Sequence, residues 1–281
     1  MIDYTTHANG WTAFINLDLK TCTQEDVNDI AKLIAANTCV IFKNQSLSIE
    51  DELRFLNMFK DPTPMVGQDD PMFKDWVSDN EKDPTGILCR VTAEERNGAV
   101  GMAFWHNEFD WHCNDPETPG RCPIVYLHGV RGTVGSRTSW NNNVIAYANL
   151  PNNIKEKLEN LHCIYGNISA PQAYDHYGVK YNTEWTPPII HKTITGQTSM
   201  YFTPLQFGKF VELSEVESNE LKDFLHKHVL DDKYVYHHDR QDGDIVISDQ
   251  WNGVHKRWPF EHMDRRVLHR SMCYYPDQDY T

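Results

Sequence analysis

Two histidines and one glutamate in this 281-residue chain have the side-chain types and the spacing of a metal site. His106 and Glu108 are two residues apart, and His255 lies far downstream. Alternate side chains of a β-strand point to the same face, so His106 and Glu108 could bind one ion, with His255 coming from a neighbouring strand. Two imidazoles and one carboxylate suit Fe(II) and leave the remaining coordination positions open.

The segment after Glu108 offers further candidates for the same site. His106, Glu108, Asp110 and His112 all alternate, so one long strand would place four ionisable side chains on one face. Spacing alone does not choose among these four as metal ligands. Asp110 could instead bind an amino group of a substrate.

Two arginines beyond His255 predict an anion-binding site next to this metal. Arg266 and Arg270 would share one face of a strand that runs through residues 266–270. The planar guanidinium group pairs with a carboxylate through two parallel hydrogen bonds, which lysine cannot do. Such an arginine can hold the far carboxylate of an organic acid that chelates iron. The whole set therefore indicates an oxygenase that uses iron and 2-oxoglutarate.

Three stretches of the sequence carry a resemblance to a known family: residues 105–108, 135–140 and 249–270. The first reads Trp-His-Asn-Glu, the second Gly-Ser-Arg-Thr-Ser-Trp, and the third ends in Arg-Arg-Val-Leu-His-Arg. Together they resemble the TauD/TfdA family of 2-oxoglutarate-dependent dioxygenases. The resemblance implies an α+β fold with a double-stranded β-helix, or jelly-roll, core and flanking helices.

The resemblance also implies a role for each candidate residue. The cofactors would be Fe(II), 2-oxoglutarate and O2, with the iron held by His106, Glu108 and His255. The distal carboxylate of 2-oxoglutarate would be bound by Thr138 and Arg266. Arg270 would contact the anionic group of the substrate or the near carboxylate of the cosubstrate. Phe207 lies where the family keeps an aromatic side chain of the substrate pocket.

Glu108 departs from the aspartate that most family members carry at this position. Glutamate there resembles the clavaminate synthase-like subgroup, which hydroxylates amino acids and their derivatives. The resemblance therefore implies hydroxylation of a C–H bond of an amino acid or derivative, with release of succinate and CO2. The substrate contacts would be Asp110, Phe207 and Arg270. A sulfonate or another small organic acid is the second choice, again through Arg270. Desaturation and cyclisation are further outcomes of the same chemistry.

Two other classes of protein can use the same ligands. Two histidines and a glutamate also form catalytic zinc sites, so a zinc hydrolase is one alternative. A non-catalytic sensor that binds 2-oxoglutarate is the other. A hydrolase leaves Thr138, Arg266 and Arg270 without a role, and a sensor does not need all three metal ligands.

Composition limits the class of protein and its partners. The net charge of −14 argues against nucleic acid as a partner, because phosphate binding needs a basic surface. The length and the 40% hydrophobic content predict a single dioxygenase-like domain over residues 1–281 with a small-molecule substrate. No long apolar run or signal region is present, so we expect a cytoplasmic protein that does not enter membranes. The sequence is compatible with a homo-oligomer. Seven cysteines without a Cys-x-x-Cys pair predict reduced thiols.

Capping residues and apolar patterns locate the elements that must position the site. Helices are predicted after Thr23, Ser48 and Ser214, and two short helices at residues 142–150 and 152–161. Buried strands are predicted at residues 39–42, 87–91, 123–130, 234–236, 244–248 and 266–275. Residues 62–101 and 164–187 are predicted to be irregular segments that cover the mouth of the pocket.

Overall fold

Antiparallel β-sheet forms the centre of the molecule, and helices cover its outer surfaces. The computed structural model describes residues 2–63, 83, 85–92, 95–96, 99–100, 108–114, 116, 118–119, 123–169, 178–261 and 266–276. The strands in these residues are, in chain order, β1 (Tyr4–Thr6), β2 (Ala13–Ile15), β3 (Cys39–Phe42), β4 (Lys60–Thr63), β5 (Cys89–Thr92), β6 (Glu95–Arg96), β7 (Ala99–Val100), β8 (Phe109–His112), β9 (Ile124–Arg131), β10 (Arg137–Asn141), β11 (Cys163–Ser169), β12 (Gly178–Asn182), β13 (Ile190–Lys192), β14 (Thr198–Met200), β15 (Phe207–Phe210), β16 (Val235–Asp239), β17 (Ile245–Asp249), β18 (His255–Arg257) and β19 (Val267–Tyr274).

The three longest helices begin where the sequence predicts them. A capping box links Thr23 to Asp26, Ser48 to Asp51, and Ser214 to Glu217, which satisfies the first backbone N–H groups of each helix. The helices are α1 (Gln24–Asn37), α2 (Ile49–Leu56), α3 (Asn143–Ala148), α4 (Asn152–Leu158) and α5 (Glu215–Val229), with a 3-10 turn at Asp232–Tyr234. Among the helices of the described residues, none combines the length and the apolar character that crossing a membrane requires.

Two sheets face each other and define the interior where a site can form. The major sheet has the strand order β1-β2-β3-β17-β9-β19-β4, with β5 also paired to β19. The minor sheet has the order β16-β10-β18-β8. Trp140 and Tyr236 of the minor sheet pack against Ile41, Leu127 and Val246 of the major sheet in a buried apolar cluster. This double-sheet arrangement with flanking helices is the predicted jelly-roll core.

Two further apolar clusters attach the helices to the sheets. In the first, Val27, Ile30 and Ile34 of α1 and Phe55 of α2 pack on the outer face of the major sheet. In the second, α3 and α5 pack with β11 and β15, and Leu221 and Leu225 of α5 are buried there. The helices stabilise the sheets, as the sequence predicts, because the apolar residues of each helix lie three or four apart on one face.

The segment at residues 164–187 is more regular than the sequence predicts. It contains part of β11 and all of β12, which pair as neighbours in a sheet with the order β12-β11-β15. Cys163 and Tyr165 are fully buried in β11 whereas Ile164 between them is only partly buried, which is the alternation of a half-buried strand. Much of the other predicted irregular segment, residues 62–101, lies outside the described residues.

Six of the seven cysteines lie in the described residues, and all six are buried free thiols. This agrees with the predicted reduced state. Burial raises the pKa of the Cys22 thiol to about 12, so its reactive thiolate form is suppressed at neutral pH.

Glu52 of α2 is buried against the outer face of the major sheet, where two histidines and a tyrosine surround its carboxylate. Nδ1 of His128 and Nδ1 of His269 lie 3.1 Å and 2.8 Å from Oε1, and the Tyr126 hydroxyl donates to Oε2 at 2.9 Å. These side chains have the types of a metal site. They lie on the opposite face of the sheet from Arg270, however, because His269 and Arg270 are consecutive residues of β19. We interpret the cluster as a stabilising network.

Replacing Glu52 by glutamine is expected to destabilise the protein by about 2–4 kcal/mol near neutral pH, because it breaks a buried charged network. Burial alone would raise the pKa of this carboxyl, but the close contacts of His128 and His269 lower it from 4.5 to about 2. The contribution of the carboxylate is therefore complete above its ordinary pKa of 4.5 and is lost as the pH falls towards about 2. Chemical denaturation at a series of pH values measures this difference.

The control for this experiment is Glu50→Gln, because Glu50 is an exposed acid in the same helical turn. It should change the free energy of unfolding by less than about 0.5 kcal/mol. A stability loss in the Glu52 variant that is the same at neutral and at acidic pH would contradict the interpretation.

Candidate active site

The minor sheet brings two histidines into contact. His255 begins β18 and lies directly opposite His112, the last residue of β8. The centroids of the two imidazole rings are 4.2 Å apart. His112 is buried and His255 is partly buried. Two imidazoles that meet across neighbouring strands can bind one metal ion.

A β-bulge changes which residues of β8 share this face. His255 pairs with His112 and Arg257 pairs with Phe109, so three steps along β8 match two steps along β18. Phe109 consequently lies on the same side as His112, with their ring centroids 3.7 Å apart. The regular alternation that the sequence predicts is therefore interrupted within residues 109–112.

Glu108 and Asp110 both form ion pairs with Lys256. Nζ of Lys256 lies 3.1 Å from Oε2 of Glu108 and 3.1 Å from Oδ1 of Asp110. Lys256 follows His255 in β18 and therefore points to the opposite face of the strand. In the structure both carboxylates pair with a lysine, and their expected roles, Glu108 as a metal ligand with His255 and Asp110 as the partner of a substrate amine, stay predictions. His106, the other predicted ligand, lies outside the described residues.

Both imidazoles are held in the neutral form that a metal requires. Burial lowers the pKa of His112 to about 3, although a hydrogen bond to the Asp110 carbonyl opposes this shift, and the charges of Arg257 and Arg270 add to it. Burial also lowers the pKa of His255, and His112 and Arg270 lower it further. Nδ1 of His112 lies 2.5 Å from the carbonyl oxygen of Asp110. If Nδ1 carries the proton and donates it there, Nε2 is free for an ion.

Asn114 is a third polar side chain at this point, two residues after His112. Its Oδ1 accepts a hydrogen bond from Nη1 of Arg270 at 3.0 Å, and its backbone N–H donates to Oε1 of Gln250 at 2.8 Å. Its Nδ2 is buried and makes no hydrogen bond within the described part of the chain. A buried amide without a partner costs free energy. Because Nδ2 is a donor, Asn114 leaves a place for a hydrogen-bond acceptor.

An anion pocket adjoins the two histidines. Thr138 of β10 is 3% exposed, and it pairs with Arg257 of β18, two residues beyond His255. Arg266 is 4% exposed, and its Nε and Nη1 have no hydrogen-bond partner among the described residues. Its guanidinium lies 4.7 Å from the ring centroid of Phe260. A buried arginine with unused donors requires an anion, which the predicted role of Arg266 provides.

Arg240, which our sequence analysis did not select, belongs to the same pocket. It follows β16 and is fully buried, and its Nε donates to Oγ1 of Thr138 at 3.1 Å. Burial lowers the pKa of Arg266, and the charges of Arg240 and Arg257 lower it further, so the three arginines act on one another. No sequence motif points to Arg240. Its one available signal is its position at the end of the strand that pairs with Thr138.

The loop between β17 and β18 fixes the position of His255. Asp249 is buried and accepts hydrogen bonds from the backbone N–H groups of Trp251 and Asn252 at 2.8 Å and 3.2 Å. The Tyr275 hydroxyl donates to its other oxygen at 2.7 Å. The backbone N–H of Val254 donates to Oδ1 of Asn141 at 2.7 Å, which joins the loop to β10. These bonds leave the backbone before His255 little freedom.

Gly253 packs so closely that it accepts no side chain. A Cβ atom at this position would lie 2.4 Å from the backbone oxygen of Asn141 and 2.9 Å from Cγ2 of Thr38. We expect Gly253→Ala to lower the stability by about 1–3 kcal/mol, because β10 or the loop must move. The same shift should displace His255 and weaken metal binding. Thermal unfolding and Mn(II) titration measure both effects, and a variant that matches the wild type in both would contradict this account.

Phe207 lies in a packed core. It is 1% exposed and contacts the rings of Tyr165, Phe202 and Phe210. The structure thus shows Phe207 in packing contacts, and its expected place in the substrate pocket stays a prediction. Trp251, in the loop before His255, lines a hollow with Trp185 and Tyr201 instead.

Comparison with known proteins places this geometry in a family. A profile of the family described as "Taurine catabolism dioxygenase TauD, TfdA family" matches residues 4–272. Pentalenolactone F synthase of Streptomyces arenae is 23% identical over 209 residues, which cover 68% of this chain and 69% of that protein. The corresponding synthase of Streptomyces avermitilis is 24% identical over 218 residues, with 69% and 70% covered.

Solved structures share the fold. A taurine dioxygenase from Burkholderia xenovorans superposes with a TM-score of 0.75 at 18% identity, over 98% of this chain and 89% of that one. AAD-2, in complex with Mn(II) and N-oxalylglycine, superposes with a TM-score of 0.77 at 16% identity, over 98% of both chains. At these identities the likeness establishes the jelly-roll fold.

Proposed function

Because the chain belongs to the TauD/TfdA family, whose dioxygenases use Fe(II), 2-oxoglutarate and O2, we propose that it oxidises a C–H bond of a small polar metabolite. In this reaction 2-oxoglutarate is converted to succinate and CO2. The observation that carries the proposal is the contact between His112 and His255 beside a pocket of buried arginines. Arg257 links the two features, since its charge acts on both His112 and Arg266.

We propose that His112 and His255 hold the iron, with Asn114 at the third protein position. Both imidazoles are neutral, which fits the ion, and Asn114 would bind it through Oδ1, the oxygen that accepts from Arg270. The set differs from two histidines and a carboxylate in having one negative charge less. The set expected from the sequence, His106 and Glu108 with His255, is the alternative, and variants of His106 and His112 separate the two.

The remaining residues would orient the cosubstrate. Bound iron supplies the activation of O2, and the protein supplies the geometry. Arg266 would bind the distal carboxylate of 2-oxoglutarate through its unused donors, and Phe260 would keep the guanidinium plane fixed. Thr138 would donate its hydroxyl hydrogen to the same carboxylate. Water would be excluded because these side chains are buried.

For the substrate we propose an organic acid whose anionic group pairs with Arg270. Arg270 is partly buried, and its charge lowers the pKa of both His112 and His255, which supports this role for it beside the proposed metal. Amino acids and their derivatives are the first class to test. Sulfonates and other simple organic acids are the second class, and one observation favours them. Asp110, which would bind an amine, is already paired with Lys256.

The test is succinate release from 2-oxoglutarate in the presence of Fe(II) and O2, across a panel of amino acids, derivatives, sulfonates and other organic acids. We expect one class to raise succinate above the uncoupled background, and mass spectrometry of that compound should show its oxidation. His255→Ala, which lacks a proposed metal ligand, is the negative control for turnover. Absence of succinate from iron-loaded protein with every compound, together with no binding of 2-oxoglutarate, would refute the proposal.

A further inference from the structure

The anion pocket contains more positive charge than one guanidinium provides. Arg240 is 0% exposed, and its Nη1 and Nη2 make no hydrogen bond with any described residue. Arg266 has two unused nitrogens of its own. A carboxylate has two oxygens with about four acceptor sites, so it can satisfy donors from two arginines at once.

The nearby acidic side chain, Asp244, makes no hydrogen bond to Arg240. Asp244 acts on Arg240 through its charge, but one of its oxygens is bound by Nζ of Lys43 and, at 3.0 Å, by Nε2 of His238. The backbone N–H of Gln241 donates to the same oxygen at 2.9 Å. The other oxygen, Oδ1, makes no hydrogen bond to Arg240 or to any other described residue. The donors of Arg240 are thus still available to a ligand.

The bond between Arg240 and Thr138 determines how the threonine can act. Nε of Arg240 donates to Oγ1 of Thr138, so the hydroxyl oxygen is an acceptor in this contact. A hydroxyl has one hydrogen, and accepting from Arg240 leaves that hydrogen free to point away. Thr138 is then available as a donor to an anion, rather than as an acceptor.

We propose that Arg240 is a second arginine for the distal carboxylate of 2-oxoglutarate, which it binds directly while orienting the Thr138 hydroxyl towards it. This inference rests on the proposed function. The pocket then holds the carboxylate through donors of Arg240, Arg266 and Thr138. It selects a cosubstrate with a full negative charge at its far end.

Two probes separate the far carboxylate from the metal. N-Oxalylglycine has the shape of 2-oxoglutarate and both of its carboxylates, whereas oxalate chelates a metal but has no distal carboxylate. We would titrate each into Mn(II)-loaded protein by calorimetry without O2. For Arg240→Gln we expect about 10- to 100-fold weaker binding of N-oxalylglycine, as for loss of a charge-assisted hydrogen bond. Binding of oxalate should change by less than about twofold.

The matched control is Arg137→Gln. Arg137 precedes Thr138 in β10, but its side chain is exposed and pairs with Asp239 at 2.6 Å. Arg137→Gln removes one positive charge next to Thr138 but outside the pocket, so the affinities for N-oxalylglycine and oxalate should both stay unchanged. Thr138→Val should weaken the binding of N-oxalylglycine to the otherwise wild-type protein. The same substitution should have a smaller effect in the Arg240→Gln variant, because the two side chains act together.

Folding gives an independent measurement. Arg240→Gln removes a buried charge that lacks a full partner, so the protein without ligand should be as stable as the wild type or more stable. The rise in Tm on adding N-oxalylglycine should be smaller. If the glutamine variant does not fold, Arg240→Lys can replace it. Lysine keeps the charge but lacks the planar guanidinium, so this variant should still bind N-oxalylglycine more weakly while oxalate binding is unchanged.

The outcomes separate the inference about Arg240 from the proposed function. Wild-type affinity for N-oxalylglycine in the Arg240 variants overturns the inference alone. Equally weakened binding of N-oxalylglycine and oxalate also overturns the inference, because the substitution then affects the metal site and not the distal carboxylate. Failure of wild-type protein to bind N-oxalylglycine at all overturns the proposed function, and the inference with it.

Discussion

His112→Ala is expected to abolish Mn(II) or Fe(II) binding and turnover, whereas His106→Ala should retain both. His112 contacts the ring of His255 across paired strands, and its imidazole is neutral, so its loss removes a proposed direct ligand. The effect should exceed the roughly 10- to 100-fold loss of metal affinity that follows removal of an outer partner of a ligand. His255→Ala should give the same result as His112→Ala.

Metal titration followed by calorimetry or EPR measures these affinities, and circular dichroism verifies that each variant is folded. His162→Ala is the control, because His162 is a partly exposed histidine that pairs with Glu212. The reverse pattern, with metal binding lost in the His106 and Glu108 variants and kept in the His112 variant, would restore the set expected from the sequence and refute ours.

Asn114 allows a finer test of the same centre. Asn114→Asp adds a negative charge next to the two imidazoles with almost no change in shape, so metal affinity should rise if Asn114 is the third ligand. The added carboxylate would also keep a hydrogen-bond partner in Arg270. Unchanged metal affinity in this variant would mean that Asn114 is not a metal ligand.

The parts of the fold with strong local signals were predictable from the sequence. The capping boxes at Thr23, Ser48 and Ser214 mark helix starts that the structure confirms. The family match confirms the TauD/TfdA resemblance, the dioxygenase class and the cofactors of that class. These features depend on residues that are close together in sequence or on motifs that keep their order.

The identity of the metal ligands depends on strand pairing, which local sequence does not encode. Trp105-His106 and Trp111-His112 repeat the same pair of residues, so sequence alone offers two registers. The bulge opposite Arg257 brings His112 to His255 and sends Glu108 to Lys256. A shift of one residue in register moves a side chain to the other face of a sheet, so the alternation that joins Glu108 and Asp110 does not extend to His112.

Arg240 was missed for a related reason. Its role comes from contacts with a strand about a hundred residues earlier in the chain, since it bonds to Thr138 over a separation of 102 residues. Arg266, by contrast, lies in a motif that the resemblance covers. Burial of a charged side chain is visible only in three dimensions, and in this protein it identifies the anion pocket better than spacing does.

Arg266→Gln is expected to raise the KM for 2-oxoglutarate by about 100-fold or more, equivalent to about 3 kcal/mol, while metal affinity stays within about twofold. Nε and Nη1 of Arg266 both lack a partner among the described residues, and each can donate a charge-assisted hydrogen bond to the carboxylate. Initial rates at varied 2-oxoglutarate, together with Mn(II) titration, measure the two quantities.

Arg266→Lys sharpens this prediction. It keeps the charge but presents a single ammonium group, so it should recover only part of the lost affinity for 2-oxoglutarate. Arg137→Gln again serves as the control, with an unchanged KM. A large loss of metal affinity in the Arg266 variants with an unchanged KM would mean that Arg266 supports the metal centre rather than the cosubstrate. Full recovery by lysine would mean that the pocket needs charge alone, and that the paired geometry of the guanidinium has no part in binding.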